Sequence, residues 1–251
     1  MSKLAIVTGA TAGIGESTAR KLAGIGFDLV LTGRRQERLE RLKQQIENDY
    51  NIKVQLLCFD IRDKKEVETA IEKIEKIEEL EILINNAGLA SGLSPIHEGD
   101  NDDWEKMIDT NIKGLLYISR KIMPYMVKNK KGHIVNIGSV AGREVYPNGN
   151  VYCATKHAVD ALSKAMRIDL LPHGIRVTQI APGAVETEFS IVRFHGDEGK
   201  AKAVYNGFDP LLAEDIADAV IYAVTRPAHV NINDMLIMPT AQATATNIDR
   251  K

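Results

Sequence analysis

The sequence predicts an α/β fold: one doubly wound parallel sheet of about seven strands, with helices on both faces. Three observations predict it. Short β-branched apolar runs alternate from end to end with longer stretches of helical spacing. The short runs are continuously apolar, as strands covered on both faces are. A glycine-rich turn links the first run to the first helical stretch.

The predicted strands are Leu4–Val7, Leu29–Thr32, Val54–Phe59, Ile82–Ile84, His133–Ile137, Ile175–Ile180 and Met235–Met238. The helical stretch Gln36–Tyr50 places Leu39, Leu42 and Ile46 on one face. The next one sets Val67, Ala70, Ile71, Ile74 and Ile77 in one stripe, and Glu72–Glu81 reads as its solvated side. Trp104 reads as the packing anchor of its helix, with Asp102 or Asp103 as cap. Near the end Ile216, Ala219, Val220 and Ala223 repeat the helical spacing, and Met235 and Met238 are expected in the core. From Pro182 to Asp209 the alternation breaks, with Gly183, Gly196, Gly199 and Gly207 inside the stretch. An insertion at that place reads as a substrate lid over about 183–209. No stretch resembles an interdomain linker, so residues 1–251 read as a single domain. The polar end Pro239–Lys251 reads as a flexible tail or a subunit contact.

Of the 251 residues, 44% are hydrophobic and 26% charged, in the range of a globular protein. Lys plus Arg is 32 and Asp plus Glu is 34, a formal charge of −2. That balance argues against nucleic acid and against a polybasic membrane surface, because both need clustered cations. Cys58 and Cys153 read as reduced, partly buried thiols. The first apolar run is too short for a signal-peptide core, and no stretch approaches the ~20 residues that span a bilayer. The expected location is the cytoplasm.

The first strand runs into Thr8-Gly9-Ala10-Thr11-Ala12-Gly13-Ile14-Gly15-Glu16. Such a turn lets backbone approach a pyrophosphate, which the following helix N-terminus then holds. Gly9, Thr11, Gly13, Ile14 and Gly15 are the expected cradle. The second strand ends in Thr32-Gly33-Arg34-Arg35, where an NAD site carries an acid for the ribose 2′-hydroxyl. Two guanidiniums suit a 2′-phosphate instead, so NADP is the expected cofactor. Arg34 is the stronger choice, since Arg35 also reads as a solvated start to the next helix.

From this turn onward the chain resembles the short-chain dehydrogenase/reductase family over nearly its whole length, which implies a single-domain Rossmann fold. The resemblance rests on motifs in order: Asn85-Asn86-Ala87-Gly88 after the fourth strand, Asn111 in a long fourth helix, Ser139 after the fifth strand, Tyr152-Cys153-Ala154-Thr155-Lys156, and Pro182-Gly183 with Thr187 after the sixth. It implies that Asp60 and Ile61 contact adenine. Asn86, Ala87, Gly88, Pro182, Gly183, Val185 and Thr187 would line the cofactor groove. A narrower likeness, to the NADP-dependent 3-hydroxy acid dehydrogenases of that family, lies in Asp103–Asn111, Val185–Ser190, Val192–Asp197 and Pro227–Asn233. It implies action on L-serine, L-allo-threonine, 3-hydroxyisobutyrate and similar small 3-hydroxy acids, in a homotetramer.

Hydride transfer to a carbonyl needs a proton donor. Tyr152 and Lys156, at i and i+4, share a helix face. A phenol titrates near 10, and a neighbouring ammonium together with an oxidised nicotinamide is expected to lower that. Tyr152 is then donor in reduction and acceptor in oxidation. Ser139 is expected to hold the substrate oxygen. The resemblance implies that Lys156 also bonds the nicotinamide ribose and that Asn111 holds a water. A hydroxy acid carries a carboxylate, for which Arg143 and Arg193 are the candidate cations. Gly138-Ser139-Val140-Ala141-Gly142 misses the hydrolase elbow by one residue. His97, His133, His157 and His195 lack metal-ligand spacing, so no metal is expected. A broad carbonyl or 3-oxoacyl reductase is the alternative enzyme. A catalytically silent NADP sensor is the alternative of another class, and the Ser139, Tyr152 and Lys156 set argues against it.

Overall fold

The computed structural model describes residues 3–251; Met1 and Ser2, where the predicted domain starts, lie outside the described residues. Seven strands form one parallel sheet: β1 Leu4–Val7, β2 Asp28–Gly33, β3 Val54–Cys58, β4 Leu80–Asn85, β5 Gly132–Ile137, β6 Ile175–Pro182 and β7 Asp234–Ile237. Their spatial order is β3-β2-β1-β4-β5-β6-β7. The chain leaves β1 toward one edge and returns at β4 to build toward the other. The β1/β4 boundary is therefore the switch point, where open α/β sheets hold ligands at their strand C-termini.

Alternate strand residues feed two cores. Leu4, Ile6, Val30, Leu83, Ile134 and Val177 face one layer of helices. Ala5, Val7, Leu29, Leu31, Ile84 and Val135 face the other. The first layer holds α3 (Lys64–Ile71), α5 (Leu115–Asn129) and α6 (Asn150–Leu170); the second holds α1 (Gly13–Gly24), α2 (Gln36–Asp49) and α9 (Ala213–Val224). Three further helices are α4 (Asn101–Ile108), α7 (Phe189–Arg193) and α8 (Glu198–Ala203). Leu39, Leu42 and Ile46 are the buried stripe of α2. Ile216, Ala219, Val220 and Ala223 are buried on α9.

Several expectations need correction. The helix through Val67 ends at Ile71, so Glu72–Glu81 is not a helical face. Gln55 of β3 breaks it, with Nε2 donating to Lys73 O (2.7 Å) and Oε1 accepting from Glu75 N (2.9 Å). The cap of α4 is Asp100, which accepts from the amides of Asp102 and Asp103. The long fourth helix is interrupted by a π-helical turn, Asp109–Gly114, which carries Asn111. Cys58 is exposed because β3 is an edge strand, whereas Cys153 is fully buried. Met235 and Met238 are only half-buried, since β7 is the other edge. The stretch 183–209 is not irregular throughout, because it contains α7 and α8. The C-terminal tail is folded back: Lys251 N donates to Gly207 O (2.8 Å), and Arg250 bonds Asn206 O and Val204 O. Among the described residues no helix is long and apolar enough to cross a membrane.

Candidate active site

A cavity of about 570 Å³ opens beyond the strand C-termini, between the β1 turn and the 183–209 segment. Its first half is backbone. Gly9 and Gly13 have φ of +65° and +54°, which side chains rarely adopt. A Cβ on Gly13 would stand 3.2 Å from Thr187 Cγ2, and one on Gly9 would stand 3.0 Å from Ala87 Cα. Asn86 braces this turn, its Nδ2 donating to Thr8 O (2.9 Å) and Gly9 O (3.1 Å). Thr8 Oγ1 in turn accepts from the amides of Asn86 and Ala87. The α1 N-terminus has no side-chain cap, so its first-turn amides stay open to an acceptor. Gly15 does not border the cavity; it packs against the Asn86 amide.

Thr11, Ile14, Arg34, Arg35, Asp60 and Ile61 form the next stretch of wall. Arg35 is engaged, donating to Thr11 Oγ1 (2.8 and 3.1 Å) and to Glu188 (2.8 Å). Arg38 grips the other Glu188 oxygen at 2.6 Å. Arg34 is more than half exposed and, among the described residues, pairs with Asp60 alone, at 3.7 Å. Asp60 itself is forked by Arg62. A cradle free of Cβ atoms, an open helix end and a loosely held guanidinium fit a phosphorylated dinucleotide. Ala87, Gly88, Pro182, Gly183, Val185 and Thr187 border the same cavity.

The other half carries the reactive side chains. Ser139, Tyr152 and Lys156 all border it, delivered by the β5 exit and by α6. Lys156 Nζ donates to Ile137 O (2.9 Å) and lies 6.0 Å from the Tyr152 ring centre. Burial lowers Lys156 to about 8. The expected depression of Tyr152 is absent in the chain alone. Burial, helped by Tyr146, pushes its phenol well up, against smaller opposing effects of Ser139 and Arg193. Asn111 does not border the cavity. It sits behind, its Nδ2 donating to Leu89 O (2.8 Å) and Thr155 Oγ1 (3.0 Å), and its Oδ1 accepting from Leu89 N.

The two candidate cations part company. Arg143 does not border the cavity; it pairs with Asp234 at the start of β7, which removes it as a substrate anchor. Arg193, at the end of α7, borders the cavity 5.7 Å from the Tyr152 ring centre. Its Nη1 donates to Tyr146 Oη (3.0 Å), while Nε and Nη2 are buried with no partner among the described residues. Unpaired buried guanidinium nitrogens are costly and mark a place for an acceptor. Sequence reasoning missed Tyr146, Tyr205, Gln242, Ala245, Ile248 and Arg250, which also border the cavity. No local pattern marks them, because long-range folding brings them in.

The chain matches the short chain dehydrogenase model over residues 3–197. It is 46% identical to the NADP-dependent 3-hydroxy acid dehydrogenase YdfG of Escherichia coli K12, over 99% of this chain and 100% of that protein. It is 43% identical to sulfoacetaldehyde reductase 2 of Chromohalobacter salexigens, over 100% of both. The closed form of a serine dehydrogenase complexed with NADP+ superposes with a TM-score of 0.91 at 45% identity, covering 99% of this chain and 100% of that one. The family model covers most of the chain and the relatives match it over nearly their full length, so the chain belongs to the short chain dehydrogenase family.

Proposed function

We propose that this enzyme, an NADP-dependent oxidoreductase, interconverts small 3-hydroxy acids and their 3-oxo acids or semialdehydes. The observation that carries the substrate class is Arg193: two of its guanidinium nitrogens are buried with no partner among the described residues, and the group lies 5.7 Å from the Tyr152 ring centre. A carboxylate is the natural acceptor for such a fork. A hydroxy acid spanning from Arg193 to Tyr152 presents its alcohol to the phenol.

When bound, NADPH supplies a hydride to the carbonyl carbon, and NADP takes it back in the reverse direction. Gly9, Gly13 and the α1 amides hold the pyrophosphate, and Arg34 holds the 2′-phosphate. Arg35 is the weaker candidate because Thr11 and Glu188 already engage it. Ser139 orients the substrate oxygen. Tyr152 gives that oxygen its proton in reduction and takes it in oxidation. Lys156 holds the nicotinamide ribose, and Asn111, through Leu89 and Thr155, shapes the wall behind it. The 183–209 segment serves as the lid.

A second reading keeps the site and changes the anion. The sulfoacetaldehyde reductase relative is named for a sulfonate, which the same guanidinium also suits. Steady-state rates with L-serine, 3-hydroxyisobutyrate, sulfoacetaldehyde and a 3-oxoacyl thioester, each with the NADP and NAD forms, decide. Turnover of the hydroxy acids with NADP supports the first reading; turnover of sulfoacetaldehyde alone supports the second. Activity confined to the thioester removes both.

We also read the working form as a cytoplasmic homotetramer. Ile168 and Leu171, 72% and 74% exposed at the end of α6, support burial between copies. Light scattering of the purified protein checks the mass.

A further inference from the structure

Arg193 ends α7, a helix of five residues that by itself fixes little. What fixes it lies across the cleft. Gly92, in the loop after β4, donates its amide to Arg193 O at 2.9 Å. Two residues on, His195 Nε2 bonds Asp103 Oδ2 at 3.1 Å. Asp103 is buried in the first turn of α4, and its other oxygen accepts from Ser91 Oγ at 2.6 Å. Lys106 Nζ stands 3.5 Å from that same oxygen. Gly92 itself is shaped for the contact: its φ is +70°, and a Cβ there would stand 2.7 Å from Asp103 Oδ2. His195 also takes a positive φ, +52°, which a residue with a Cβ adopts only when its surroundings hold it.

We propose that Asp103 and His195 form a clasp that positions Arg193 over the substrate. Neither side chain borders the cavity, so both are positioning residues. The clasp ties the β4 exit loop, α4 and the 183–209 segment together at one carboxylate. A short helix held at one end by this carboxylate keeps the Arg193 fork aimed at one point beside Tyr152. Without it, α7 and the following turn wander, and the fork meets the substrate anion in a fraction of its orientations. Burial alone would push Asp103 up, but the Ser91 hydrogen bond, His195 and Lys106 outweigh it and keep the carboxylate charged. This inference rests on the reading of Arg193 as anion anchor.

The test uses the intact enzyme with 3-hydroxypropionate and its uncharged methyl ester. His195→Leu is expected to raise KM for the acid about tenfold, as the loss of one oriented anion contact would. KM for the ester and kcat for both stay within about twofold. His195→Gln, whose Nε2 can still donate to Asp103, is expected to restore most of the loss. Arg193→Gln is the control for the anchor: it must raise the acid's KM more than the ester's. If Arg193→Gln fails to do so, the anchor reading falls and the clasp has no purpose in substrate binding. If Arg193→Gln does so while His195→Leu leaves both KM values unchanged, the clasp alone is overturned. Equal rises for acid and ester in His195→Leu, unrepaired by Gln, also overturn it and assign His195 a general structural role.

Discussion

In the proposed function Arg34 carries the cofactor choice, as the less committed of two neighbouring guanidiniums. A charge-assisted bond to phosphate is worth about 1.5–3 kcal/mol. Arg34→Ser is therefore expected to weaken NADPH binding about tenfold to a hundredfold and to leave NADH nearly unchanged, as fluorescence titration would measure. His133 is a second informative residue. Thr178 Oγ1 spends its proton on Ile232 O (2.6 Å), so His133 Nε2 must donate to Thr178 (2.7 Å). Its Nδ1 is then a buried nitrogen without a partner among the described residues. Burial, with a smaller push from Arg176, lowers this imidazole to about 3. The unfolded chain takes up that proton near 6.5, so stability is full above that pH and is lost as pH falls toward 3. Urea unfolding should show a slope of up to about 1.4 kcal/mol per pH unit from this group, and His133→Gln should flatten it. An unchanged slope would mean that other groups set the acid limit.

At the scale of elements, the joints around the cavity decide behaviour. Glu188 sits at the head of the 183–209 segment and bridges to Arg35 and Arg38 of the opposite lip. As an exposed cluster it adds little stability. Its charge matters more, because it offsets two cations beside the proposed 2′-phosphate site. Glu188→Gln should raise the preference for NADPH over NADH a few-fold in paired titrations, with Tm almost unchanged. An unaltered ratio would place the phosphate elsewhere. The tail is a second joint. Gln242 Oε1 accepts from Ala184 N (2.8 Å), and Ala245 N donates to Glu144 (2.8 Å). Ending the chain after Pro239 leaves all seven strands in place but opens the cavity wall. Cofactor binding should persist while turnover falls at least tenfold, since an open site admits water. Turnover equal to the full chain would show the tail to be dispensable.

Seen whole, the fold was legible wherever neighbours in sequence are neighbours in space. The run from Leu4 through the glycines into α1 is one contiguous device, and the buried strands announce themselves by unbroken apolar runs. Legibility ended where distant segments decide. Gln55 ends α3 from another element, so the continuing spacing of Ile74 and Ile77 misled. Arg143 and Arg193 looked alike in sequence; one is taken by Asp234 and the other is left with free nitrogens, and only folding separates them. Tyr146 and the tail residues reach the cavity from 6 residues before and about 90 after Tyr152, with no periodic signature. In the chain without cofactor, burial by the assembled walls raises the Tyr152 phenol, an effect that no local spacing announces.

The proposed reaction depends on the Tyr152 phenol passing a proton to and from the substrate. The most direct measurement is Tyr152→Phe, assayed for turnover and for NADPH affinity on the same preparation. Turnover should fall at least about a hundredfold while the NADPH dissociation constant stays within about threefold. Turnover within tenfold of the parent enzyme, with NADPH still bound, would assign the proton to another group.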